Sequence, residues 1–117
     1  GLSKVQNMSK STNEEQQLLR SVLEKSEGQK VLLVFTASWS GSSHILMQTI
    51  KQIGQSSPSI IHYTLDVDEY KVLANHFNVN NIPVIAVLKD RQLIDYIRKI
   101  TSKKKLQARI NAAIKNN

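Results

Sequence analysis

The chain of 117 residues contains no cysteine. That excludes a structural disulfide, a thiolate metal site and any reaction carried by a sulfur nucleophile, although it does not identify a compartment. Glycine and proline are scarce, at four and two residues, so sharp turns must fall at few places and low-complexity linkers are excluded. No apolar run approaches the ~20 residues needed to span a bilayer. The start, Gly1-Leu2-Ser3-Lys4, lacks the apolar stretch of a secretory leader. These absences describe a soluble chain without membrane association, cytoplasmic by default. A leader cut away ahead of Gly1 would leave no trace, and Gly1 itself fits a remnant of tag removal. Residues 1–117 read as a single domain, long enough to bury a core without disulfides or metals.

Acid is the next absence. Residues 1–95 carry nine Lys/Arg and nine Asp/Glu, whereas residues 96–117 carry seven basic residues and no acid, the whole of the +7 excess. Such a tail is either a footprint for an acidic partner or a solvated helix face. Aromatics are only 5% of the chain, and beyond Tyr96 none interleaves with these cations to stack bases. The solvated face is the better reading, and nucleic acid is not the expected partner.

What is present is a clear alternation of periods. Val5 and Met8 suggest a short edge strand over 3–8. Ser11 or Thr12 can cap a helix carrying Leu18, Leu19, Val22 and Leu23 at helical spacing, stopped by Gly28. Val31 to Ala37 is a continuous apolar run, the mark of a strand buried on both faces. A helix follows with Ile45, Leu46, Ile50 and Ile53, ending near Gly54. Ile60 to Val67 is a strand, Tyr70 to Phe77 a short helix, and Val84 to Leu88 and Leu93 to Ile97 a hairpin turning at Asp90-Arg91. Ser102 caps a last helix with Leu106, Ile110, Ala113 and Ile114 on one face. The order β-α-β-α-β-α-β-β-α predicts an α/β fold with a mixed sheet.

Three features stand in sequence: Trp39-Ser40-Gly41-Ser42-Ser43 between the buried strand and a helix start, Asp66-Val67-Asp68 closing the next strand, and Ile82-Pro83 ahead of the hairpin. From about residue 11 onward this resembles the thioredoxin family, whose active-site loop reads Trp-Cys-Gly-x-Cys. The resemblance implies a three-layer fold, a central mixed sheet with helices on both faces. It implies that the Ile82–Pro83 bond is cis and faces the loop. It also implies that Trp39, Gly41, Ser42, Ile82 and Pro83, with Ser40, line a groove for a protein or peptide partner, with no cofactor.

Ser40 and Ser43 match the family's nucleophilic and resolving cysteines. Disulfide exchange requires a thiolate attack and a mixed disulfide. Oxygen forms none, so the chain as written has no catalytic residue for that reaction. Positions matching the family's buried Asp and neighbouring Lys are Val34 and Thr64. Ser42 and Gln48 stand where prolines are common, and the Arg98/Lys99 region replaces a groove-lining glycine. Together these departures favour a redox-inactive homologue that binds protein non-covalently, as chaperone, adaptor or subunit. The alternative is a disulfide oxidoreductase with both cysteines replaced by serine. Ser43-His44 lacks a third member for a hydrolytic triad. His44, His62 and His76 lack metal-ligand spacing, so no metal is expected. Asp66, Asp68 and Glu69 are expected to cap the short helix after them.

Overall fold

The computed structural model describes residues 12–56, 60–98 and 102–115. The expected edge strand at 3–8 lies outside these. Four strands, β1 (Lys30–Thr36), β2 (Ile61–Asp66), β3 (Val84–Lys89) and β4 (Gln92–Ile97), form one sheet in the order β2-β1-β3-β4. β1 runs parallel to β2 and antiparallel to β3, and β3 pairs antiparallel with β4. Four helices, α1 (Thr12–Lys25), α2 (Gly41–Ser56), α3 (Lys71–His76) and α4 (Lys103–Lys115), cover both faces.

The alternation of side chains along β1 divides the core in two. Val31, Leu33 and Phe35 pack with Val22 of α1 and Leu73 and Ala74 of α3. Leu32 and Val34 pack with Leu46, Ile50 and Ile53 of α2 and Leu106 and Ile110 of α4. Each such side chain, fully withdrawn from water, contributes about 1.5–3 kcal/mol before conformational entropy is charged against it. The unbroken apolar run in the sequence is therefore a central strand with helices on either side.

Specific polar contacts fix how the helices lie. Lys30, at the start of β1, donates through Nζ to the carbonyls of Ala113 and Ile114, closing the C-terminus of α4. The end of α4 is thereby fixed at the start of β1, and its first turn lies at the opposite end of the sheet. That first turn is capped as expected, with the Lys105 amide donating to Ser102 Oγ at 3.2 Å. The hairpin turn carries Asp90 and Arg91 at φ 51° and 66°, the paired left-handed residues of a tight β-turn. It is bound to the α1–β1 connection: Asp90 N donates to Ser26 O at 2.7 Å, Arg91 N to Ser26 Oγ at 2.9 Å, and Gly28 N to Asp90 Oδ1 at 2.8 Å.

α2 runs to Ser56, two residues past Gly54 and close to the expected end. A side chain at 54 would begin only 3.2 Å from His62 Nε2, so this glycine also serves the close approach of β2. One local expectation is corrected: the acidic residues after β2 do not cap α3. Its N-cap is Tyr70, without a side-chain bond. The free amide of Leu73 instead donates to Glu15 Oε1 of α1 at 3.0 Å, on a carboxylate only 2% exposed.

Candidate functional site

The loop between β1 and α2 sits at the end of the sheet where β1 and β2 finish and β3 begins. Phe35 pairs with Val84, so Pro83 lies level with Thr36, at the root of the loop. The Ile82–Pro83 peptide is cis, and both residues are half-buried. Gly41 opens α2, and Ser42 beside it is exposed.

The two serines that flank the start of α2, Ser40 and Ser43, have unequal surroundings. Ser40 is half-buried, and its carbonyl accepts the Ser43 amide at 3.1 Å to start the helix. Ser43 is 1% exposed, and its hydroxyl accepts the Ala37 amide at 3.2 Å. The hydroxyl engaged at this helix start is thus that of Ser43. It satisfies a buried backbone donor that would otherwise be costly. The neighbouring His44 is exposed.

Asp66 and Asp68 brace the loop. Asp66 accepts the Ser38 amide at 3.3 Å and the Asp68 amide at 2.8 Å, while its backbone carbonyl accepts from Glu69 and Tyr70. Asp68 Oδ2 accepts the Trp39 indole N–H at 3.1 Å. Trp39 is nevertheless 68% exposed. One edge of the ring is held, and the rest is presented to solvent.

Beneath the loop, between α2 and β2, lies a cleft of about 350 Å³ whose lining includes Thr36, Ser43, Met47, Thr64 and Asp66. Val34 and Thr64 are register partners on β1 and β2, and Val34 is fully buried. The pair sets a buried aliphatic group beside an exposed hydroxyl, and neither side chain ionises near neutral pH. Among the described residues, no three His, Cys, Asp or Glu side chains come together to hold a metal ion, and no helix is long and apolar enough to cross a membrane.

The sequence reading missed a contact on the far side of Pro83. Arg98 places its guanidinium 4.4 Å from the centroid of the Tyr96 ring, a stacked cation–π arrangement. The Tyr96 hydroxyl in turn donates to Phe77 O at 3.1 Å, on the segment leading to Ile82-Pro83. Burial pushes the Tyr96 hydroxyl pKa up, against the opposing effect of Arg98. The i, i+2 spacing of Tyr96 and Arg98 along a strand was the available signal.

Comparison with known proteins agrees with this architecture. The sequence profile described as Thioredoxin matches residues 9–112. A thioredoxin H-type from Fagopyrum esculentum is 27% identical over 73 residues, covering 62% of this chain and 63% of that protein. The match thus spans less than two thirds of that relative's length. Among solved structures, Fasciola hepatica thioredoxin superposes with a TM-score of 0.72 at 20% identity, over 80% of this chain and 89% of that one. A thioredoxin f2, solved in complex with ferredoxin:thioredoxin reductase, superposes with a TM-score of 0.73 at 21% identity, over 85% and 89% of the two chains. At these identities the structural likeness speaks for the fold alone.

Proposed function

Since this chain belongs to the thioredoxin family, we propose that it is a redox-inactive member that binds extended protein segments non-covalently. The groove for them is formed by Trp39, Ser40, Gly41, Ser42, Ile82 and Pro83. The observation that carries this reading is the pairing of an exposed, braced Trp39 with oxygen at both cysteine positions. An aromatic anchor held beside a strand entry suits a protein-docking surface, and it keeps that use when the thiols are gone. A structural neighbour solved in complex with a reductase makes protein docking on this fold reasonable here.

The test uses an unfolded polypeptide with blocked thiols, carboxymethylated α-lactalbumin, titrated calorimetrically. The protein should bind it, and Trp39→Ala should weaken binding about tenfold or more, the loss of an aromatic hot spot. Absence of binding, or equal binding by the variant, contradicts the reading.

One observation favours the second reading, an oxidoreductase with both cysteines replaced. The more accessible Ser40 and the buried Ser43 have the unequal exposure that suits an attacking group and a resolving group. Ser40→Cys with Ser43→Cys, assayed for insulin disulfide reduction, separates the two. Turnover at the level of a dithiol thioredoxin supports replacement. Turnover at least tenfold lower supports long loss, because neither Val34 nor Thr64 can act as a general acid or base near neutral pH.

A further inference from the structure

The groove lies between two oppositely charged flanks. On the β2 side stand Asp66, Asp68 and Glu69, with Asp68 bound to the Trp39 indole. On the β4 side stands Arg98, one residue beyond Ile97. Ile97 pairs with Ile85, so Arg98 lies level with Val84, next to Pro83. The Tyr96 ring holds its guanidinium in place while it remains exposed.

The same end receives the first turn of α4, because Lys30 fixes the other end of that helix at the start of β1. Lys104 and Lys105, both exposed, stand there, and the turn contains no acid. Cations at the positive end of a helix dipole cost stability, so helix formation does not explain them. Arg109, further along α4, is neutralised by two bonds to Asp95 at 2.7 and 2.8 Å. Among the described residues, the basic excess at this end therefore rests on Arg98, Lys104 and Lys105.

We propose that the partner segment is an extended peptide of polarised charge, its acidic end meeting Arg98, Lys104 and Lys105 and its neutral or basic end meeting Asp66, Asp68 and Glu69. This rests on the binding role of the groove and adds the chemistry and direction of its occupant. The sheet order β2-β1-β3-β4 separates the flanks by three strand spacings, or about 14 Å at ~4.8 Å each. About four to five extended residues cover that distance at ~3.3 Å per residue. Trp39, Ile82 and Pro83 lie between the flanks and would meet the apolar middle of the segment.

The experiment is selection of a random dodecapeptide phage library on the intact protein, on Trp39→Ala, on the triple variant Arg98→Gln/Lys104→Gln/Lys105→Gln, and on Lys115→Gln. Lys115 lies at the far end of α4 and controls for net charge. Winning peptides, remade synthetically, should carry acid about four to five residues from a neutral or basic end. They should bind the triple variant about tenfold more weakly, and Lys115→Gln within twofold of the parent. Trp39-dependent winners without acid, or acidic winners indifferent to the triple variant, overturn the polarised occupant and leave the groove reading intact. Absence of Trp39-dependent winners overturns both. Equal competition by a single-stranded dodecanucleotide identifies a general anion surface and overturns the peptide assignment.

Discussion

The Trp39 indole donates to Asp68 Oδ2 at 3.1 Å, from a ring that is otherwise 68% exposed. The carboxylate does not bury the tryptophan but restricts it, lowering the entropy lost when a partner closes over the ring. Asp68→Ala should change stability by less than about 1 kcal/mol, since the bond is solvent-exposed. It should weaken polypeptide binding several-fold. The emission of Trp39, the single tryptophan, should show lower anisotropy in the variant, whereas Asp68→Asn, which keeps an acceptor, should resemble the parent. Unchanged anisotropy and affinity in Asp68→Ala would falsify this role.

Ser43 has a structural role independent of any chemistry. Its buried hydroxyl accepts the Ala37 amide, and Ser43→Ala should lower the unfolding free energy by about 1–3 kcal/mol, the cost of leaving a buried donor unpaired. Ser42→Ala, at an exposed position, should stay within about 0.5 kcal/mol of the parent. Urea unfolding of the two variants side by side checks the contrast.

Glu15 predicts a similar pair of outcomes across two helices. Glu15→Ala leaves the Leu73 amide of α3 without its acceptor and should cost about 1–3 kcal/mol. Glu15→Gln retains a carbonyl oxygen there and should cost less. Equal losses in the two variants would show that the bond does not hold α3 in place.

The Asp95–Arg109 pair makes a pH prediction. Hydrogen bonds from Arg109, aided by the Tyr96 amide, hold the Asp95 carboxyl below the usual carboxylate range despite partial burial. A carboxylate whose folded pKa is depressed adds stability above its unfolded value of about 3.9, and that stability is lost as pH falls through the lower folded value. Both side chains are partly exposed, so screening limits the effect to the 0–1 kcal/mol range. Arg109→Gln should be slightly less stable at pH 6 and should lose less between pH 5 and pH 2 than the parent. Unfolding curves at the two ends of that range decide it.

Much of this molecule was legible in the sequence because its elements carry strong local signals. The run Val31 to Ala37, short, continuous and rich in branched residues, reads as a doubly covered strand. Asp90-Arg91 between two apolar runs marked the hairpin, and Ser102 the start of α4. Illegible were contacts between residues far apart in sequence. Nothing around Glu15 in the sequence marks it as buried, and its bond to the Leu73 amide follows only once α3 is placed against α1. Gly54 reads only as a helix stop until His62 is brought across it. The roles of Asp66 and Asp68 depend on a loop nearly thirty residues earlier. Within the site, the sequence located the loop and the proline. It did not reveal that Tyr96 holds Arg98 beside them: the i, i+2 spacing puts both on one face, but their place next to Pro83 depends on the pairing of β4 with β3.

The central claim is that this protein carries oxygen where its family carries sulfur, and the most direct measurement is a mass. Tryptic digestion of the protein isolated from its native source releases the peptide Val31–Lys51, which spans both positions. The account predicts a mass that fits Ser40 and Ser43. A peptide heavier by two oxygen-to-sulfur exchanges would contradict it and assign the protein to dithiol exchange.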